Sequence, residues 1–175
     1  SLDIFIVPTI ALTVVVLLYL YFAKQVRDKK NYNNYIIGIA VIAFSFYFIW
    51  ELAQGLLYEG FEYDWQHISF CALASVADML MVLILLFGFG LVYKNVFWTR
   101  SMGINKIFSL IFIGSAGAIL GEIWHTSRGD WAYAEAMPIV PWVNVGLSPL
   151  LQFALLPYLI FVIGKNFINE GNLEK

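Results

Sequence analysis

Five runs of nearly unbroken apolar residues, each near 20 residues long, constrain this chain more than any other feature. An α-helix rises 1.5 Å per residue, so about 20 residues cross the ~30 Å hydrocarbon core of a bilayer. The runs fall at about residues 4–23, 36–57, 68–93, 107–125 and 145–164. Lipid offers no partner to a free backbone N–H or C=O, so such runs must be helical. The expected fold is an all-α, five-transmembrane-helix bundle. It is a single membrane domain over residues 1–175, because the connections are too short to hold a second one. Composition agrees: 13% of residues are charged, against about 25% in an ordinary soluble domain. Span one has no basic stretch before it and no small-residue cleavage site after it, so it is expected to persist as a helix rather than serve as a signal peptide.

Charge then sets an expected orientation. Lys24, Arg27, Lys29, Lys30, Lys94, Arg100, Lys106, Lys165 and Lys175 fall on one side of the five spans, leaving Arg128 alone on the other. The positive-inside rule expects the N-terminus outside and the C-terminus cytoplasmic. As topology determinants these residues need no nucleic acid to explain them. The opposite loops, "YEGFEYDWQ" and "TSRGDWAYAEAMPIVPW", are acidic and aromatic. Trp65, Trp131, Tyr133 and Trp142 in them suit an interfacial belt, with residues 126–143 as a cap. The expected location is a multi-pass one in a bacterial inner membrane.

Ionisable groups inside a membrane helix are costly and usually face the bundle interior. Residues three, four, seven or eleven apart share a helix face. Span two aligns Tyr47, Glu51, Gln54 and Tyr58; span three, His67, Cys71, Ser75 and Asp78; span four, Ser115, Ala118, Glu122 and His125; span five, Asn144, Ser148 and Gln152. Given the orientation, these stripes meet in the outer half of the membrane, with Asp78 near mid-depth as a floor. Gly114, Gly117 and Gly121 are expected to let span four approach a neighbour closely. Pro149 and Pro157 are expected to loosen or kink span five.

The residue types admit several chemistries. Glu122 and His125 form a Glu-x-x-His pair on one face, which can ligate metal or act as an acid–base couple. Glu51, His67, Glu122 and His125 are the corresponding alternative metal set, suited to iron or zinc. The three acids can also be purely structural, neutral or hydrogen-bonded groups that hold the helices in register. Trp50, Trp124 and Tyr58 lie close enough to the acids to make a cation-friendly pocket, and Gln54, His67, Ser75 and Gln152 extend the same polar faces. Arg128 and Asp130 are expected to pair at the surface and order their loop, and Cys71 to be a small core residue.

Several stretches in order resemble the emopamil-binding protein and sterol isomerase-like membrane family: "WELAQGLLYEG", "FCALASVADML", "GAILGEIWHTSRGDW" and "SPLLQFALLPYLIFVIGK". The resemblance covers spans two to five. Tyr47 stands where that family carries a histidine, and Asp78 lies deeper than its helix-three acid. The segment "GDWAYAEAMPIVPWVNVGLSPLLQ" is also similar to small bacterial membrane proteins. The family resemblance implies an intramembrane acid–base enzyme, or a ligand-binding relative, acting on an apolar isoprenoid or sterol-like lipid by double-bond isomerisation or cyclisation. Glu51 and Glu122 would be the catalytic acid and base, His125 a relay and Asp78 a second carboxylate. Trp50 and Trp124 would stabilise a developing carbocation. No cofactor is required, and the expected partner is a membrane lipid or apolar small molecule. Two other classes stay open: a non-enzymatic subunit of a larger membrane complex or homo-oligomer, and a proton-coupled solute transporter.

Overall fold

The computed structural model describes residues 6–169; residues 4 and 5 of span one, and Lys175, lie outside them. All five apolar runs are helices: α1 (Ile6–Ala23), α2 (Lys29–Gln54), α3 (Trp65–Tyr93), α4 (Ile104–Arg128) and α5 (Leu147–Gly164). Each is long and apolar enough to cross a membrane. Several begin before the apolar run that marks them. The Asp28 carboxylate accepts from the Asn31 N–H at 2.9 Å and so starts α2 seven residues early. Asp64 does the same for α3, accepting from the His67 N–H at 2.8 Å. Such caps satisfy N–H groups that a helix start leaves without a partner, and polar first turns are tolerated where the helix leaves the hydrocarbon.

Neighbours in space do not follow chain order. α3 packs between α1 and α2, α2 between α3 and α5, and α4 packs on α5. The helices therefore form a row, α1–α3–α2–α5–α4, in which α3 and α4 share no packed face.

Contact between α4 and α5 depends on one missing atom in each. Pro157 lies inside α5 and has no N–H to give to the Phe153 carbonyl four residues earlier. That oxygen lies against Gly114 of α4, where a β-carbon would overlap it. A Cα–H···O contact suits this geometry. The other two glycines of the motif do not approach a neighbour: a β-carbon on Gly117 or Gly121 would meet nothing within 4 Å. Spacings of three and four keep them close, but the buried face of α4 follows Leu110, Gly114, Ala118 and Glu122, and of the three glycines only Gly114 is buried on it. Pro149 also departs from expectation. It sits in the first turn of α5, where no intrahelical N–H is needed, so it requires no kink.

Two different ends result. Toward the α3–α4 connection, Tyr32, Tyr35, Phe87, Phe97, Trp98 and Phe161 pack as a buried aromatic cluster. Every polar tip there that is buried finds an internal partner. The Tyr35 hydroxyl lies 2.6 Å from Thr99 Oγ1, the Tyr32 hydroxyl donates to the Tyr19 carbonyl at 2.9 Å, and Trp98 Nε1 donates to the Leu86 carbonyl at 2.9 Å. At the opposite end the loop after α4 folds back onto the end of α2. Glu59 N–H donates to the Ala132 carbonyl at 2.9 Å and Ala134 N–H to the Leu57 carbonyl at 3.0 Å, bridging Tyr58 and Tyr133. A short antiparallel hairpin follows, β1 (Ile139–Val140) with β2 (Val145–Gly146), pairing Ile139 with Gly146 and Val140 with Val145. Trp142 at its tip is 96% exposed and Trp65 is 83% exposed, as an interfacial belt requires. Trp131 and Tyr133 do not belong to that belt; they turn inward.

Candidate functional site

The polar stripes of α2, α3 and α5 meet in a single hydrogen-bonded chain. Trp50 Nε1 donates to Ser148 Oγ at 3.2 Å, and Ser148 Oγ donates to Gln54 Oε1 at 2.7 Å. Gln54 Nε2 then donates to Gln152 Oε1 and to Glu51 Oε1, both at 3.0 Å. Gln152 Nε2 donates to the same Glu51 oxygen at 2.7 Å and to Asp78 Oδ2 at 3.3 Å. Both carboxamides are buried and use their oxygen toward the chain and their N–H groups toward the acids. A buried amide left unpaired costs about 1–3 kcal/mol, so this arrangement fixes the rotamers of Gln54 and Gln152 and, through them, the two carboxyls.

Glu122 enters from α4. Its Oε2 accepts from the Tyr133 hydroxyl and, at 3.2 Å, from Trp131 Nε1. Both donors come from the strand-like segment that pairs with residues 57–59. Glu51, Asp78 and Glu122 lie near enough to feel one another's charge. The Tyr58 hydroxyl is held well above the ordinary tyrosine range, first by burial and then by the neighbouring Glu122 and Glu51. Tyr133 is likewise raised, by burial and then by its bond to Glu122.

Each acid is held by one oxygen only. Glu51 Oε2, Asp78 Oδ1 and Glu122 Oε1 have no hydrogen-bond partner among the described residues. Among the described residues the one buried side-chain N or O atom without a partner is the Tyr47 hydroxyl. Tyr47 is 0% exposed, packs its ring on Phe153 at 5.1 Å, and lies within electrostatic reach of Asp78 and Glu51. The site is thus a cluster of three carboxyls from three helices, each with one hydrogen-bonded oxygen, beside the unsatisfied hydroxyl of Tyr47.

Some residues expected here lie elsewhere. His67 Nδ1 sits 2.8 Å from Asp64 Oδ1, with its ring against Phe61, at the start of α3. It shares a face with Asp78, but eleven residues separate them, roughly 16 Å along the axis. His125 lies at the rim: Nδ1 is 2.7 Å from Asp130 Oδ2 and the ring stacks on Trp131 at 4.2 Å. Arg128 joins the same Asp130 at 3.7 Å, which orders the loop as expected. Trp124 is 56% exposed and faces the Arg128 guanidinium, not the acids; two residues past Glu122, it is turned some 200° around α4. Ser75 is buried but donates to the Cys71 carbonyl of its own helix at 2.7 Å. The four-residue metal set is not assembled, since its two histidines pair with Asp64 and Asp130. Among the described residues no three His, Cys, Asp or Glu side chains converge as metal ligands would.

Trp131 and Tyr133 were not identifiable as site residues from the stripes, because they lie in a loop without helical period. Their one signal is the return of an aromatic-rich segment within a dozen residues of Glu122. No family model, curated protein or solved structure matches the chain.

Proposed function

We propose that the carboxyl cluster is an intramembrane acid–base site for an apolar isoprenoid or sterol-like lipid, which it isomerises or cyclises by moving a proton. The observation that carries this reading is the set of three carboxyls from three helices, each anchored through one oxygen and without a hydrogen bond on the other among the described residues. Glu51 gives a proton to one carbon of a double bond, and the pair of π electrons becomes the new C–H bond. Positive charge then develops on the adjacent carbon. The neighbouring carboxylates and the faces of Trp50 and Tyr58 stabilise it. Glu122, with two donors on one oxygen, takes a proton from a neighbouring carbon, whose C–H electrons form the new double bond. The sum is an isomerisation with no net oxidation. Asp78 is the second carboxylate at the deep end.

The positive-inside rule, applied to the basic residues gathered at the aromatic end, supports a cytoplasmic placement of that end, which sets the carboxyl cluster in the outer half of the membrane. Transport fits less well. Below Asp78, α3 buries Leu80, Val82, Leu83, Leu86 and Phe87, and no polar path continues from it along that helix among the described residues.

Native mass spectrometry of protein in mild detergent tests the reading, wild type beside the Glu51→Gln/Glu122→Gln double variant. A retained apolar molecule in the sterol or isoprenoid mass range, lost in the variant, is the expected result, and Glu122→Gln alone then abolishes turnover at unchanged expression and size. A bare wild-type chain, or one that leaves only with a second protein, would move the assignment to a subunit of a membrane complex.

A further inference from the structure

Proton transfer through Glu51 and Glu122 makes no use of Tyr47, although that residue is costly where it stands. Tyr47 lies one turn before Glu51 and two turns before Gln54, so the three share a face of α2. Side chains of a helix lean toward its N-terminus, which tips Glu51 back over the turn that carries Tyr47. Burial is complete: Tyr47 is 0% exposed, and its ring is held against Phe153 of α5 at 5.1 Å. Its hydroxyl has no hydrogen-bond partner among the described residues. A phenylalanine ring would fill the same space without stranding a hydroxyl, and a stranded one costs about 1–3 kcal/mol.

The groups that face this hydroxyl are acids. Asp78 of α3 and Glu51 of α2 lie within its electrostatic reach, and α5 carries no Asp, Glu, Lys, Arg or His anywhere along its length. Gln152 Nε2 donates to Glu51 Oε1 at 2.7 Å and to Asp78 Oδ2 at 3.3 Å, which joins the two carboxyls into one bridged pair. When Glu51 gives up its proton, negative charge appears on that pair in a place where bulk water cannot solvate it. Glu51 Oε2 and Asp78 Oδ1 are acceptors without a hydrogen bond among the described residues, and the Tyr47 O–H is a donor without an acceptor. A hydrogen bond to a charged group is worth roughly twice one between neutral groups. A donor of this kind therefore responds to the charge that develops and little to the state before it.

We infer that Tyr47 is a positioning residue for the proton donor: its hydroxyl donates to the Glu51–Asp78 pair once Glu51 has released its proton, and is unbonded while Glu51 holds it. The inference rests on the acid–base reading of the carboxyl cluster. Only the Glu51 proton moves to carbon; the Tyr47 proton stays on its own oxygen. Because the bond forms as charge forms, it lowers the barrier without tightening the binding of lipid.

Infrared difference spectra of the protein in mild detergent, alkaline against acid buffer, test the bond without any substrate. The bands of the pair are those lost in Glu51→Gln and Asp78→Asn. In Tyr47→Phe the carboxylate band that grows in alkali is expected to shift, and the carboxyl band present in acid to stay in place. Function is read as deuterium uptake from D₂O into the total apolar lipid extract of the expressing cells. Tyr47→Phe is expected to slow uptake roughly thirtyfold, which is about 2 kcal/mol, at unchanged half-saturating lipid concentration and unchanged unfolding midpoint. Tyr35→Phe, at the aromatic end, is expected to keep the wild-type rate. Carboxylate bands that coincide in wild type and Tyr47→Phe, or equal uptake by the two, overturn the inference and leave the acid–base reading in place. An acid-form band that moves as well, or a lower unfolding midpoint in Tyr47→Phe, means that the hydroxyl is already bonded at rest and also overturns it. No uptake by the wild type overturns the acid–base reading, and the inference with it.

Discussion

The two ends of this bundle treat polar atoms in opposite ways. At the aromatic end, Tyr35, Tyr32 and Trp98 each spend their polar tip on an internal partner. At the carboxyl end, three acids each leave an oxygen open and Tyr47 leaves its hydroxyl without a bond. Both tyrosines, 35 and 47, lie on α2 and are 0% exposed, so burial does not distinguish them. The difference shows that one end satisfies its buried polar atoms within the chain while the other leaves the Tyr47 hydroxyl unsatisfied among the described residues. A buried unpaired hydroxyl costs free energy and persists where another requirement outweighs that cost.

Mutations can break this comparison or sharpen it. The largest effect is expected at the aromatic end, where Trp98→Ala removes the ring that Phe89, Tyr93 and Phe161 pack against. Loss of about 3–5 kcal/mol should appear as a lower unfolding midpoint in mixed micelles; a loss as small as that of a lipid-facing residue would undo the claim that this end carries the stability. Gly114→Ala comes next, because the new methyl meets backbone and not a movable side chain. About 1–3 kcal/mol is expected on the same measurement. The sharpest contrast is smaller. Tyr35→Phe strands Thr99 Oγ1 and should cost about 0.5–1 kcal/mol, whereas Tyr47→Phe removes an atom that has no partner and should leave stability unchanged or slightly raised. Equal losses in the two variants would mean that Tyr47 is as fully engaged as Tyr35. The smallest effect is one of pH. Asp64 accepts from the His67 N–H and ring, which holds its carboxyl below the ordinary aspartate range. A lowered carboxyl stabilises the fold above its unfolded pKa of about 3.9 and loses that effect as pH falls through the lower folded value. Its carboxyl resonance should therefore titrate below that of an unstructured aspartate, and Asp64→Asn should abolish the acid-side dependence of α3 fraying.

Much of this arrangement was legible in the residues. Apolar run length located all five helices, and a period near 3.6 placed Glu51, Gln54, Asp78, Glu122, Ser148 and Gln152 on faces that do meet. Periodicity reports a face, however, and neither depth nor the partner opposite. His67 shares the face of Asp78 and still lies a third of a helix away. Trp124 is close to Glu122 in sequence and points to the other side. Neighbour order was not readable at all, since nothing local in α1 or α3 says that α3 inserts between α1 and α2. Trp131 and Tyr133 were hidden for a related reason: the pairing that turns them onto Glu122 is made with residues 57–59, more than 70 positions away, through backbone atoms that every residue has.

Pro157 and Gly114 carry a consequence for how such a chain can change over time. Restoring an N–H at 157 draws the Phe153 carbonyl back into its own helix and removes the reason for glycine at 114, whereas a side chain acquired first at 114 meets an oxygen that cannot withdraw. The two positions are therefore tied in an order: a change at 157 first lowers the cost at 114, whereas a change at 114 first meets that cost in full. The cost of Gly114→Ala should be smaller in a Pro157→Ala background than alone. Any lineage that has lost the proline should then show a relaxed choice at the glycine, with the converse pairing rare.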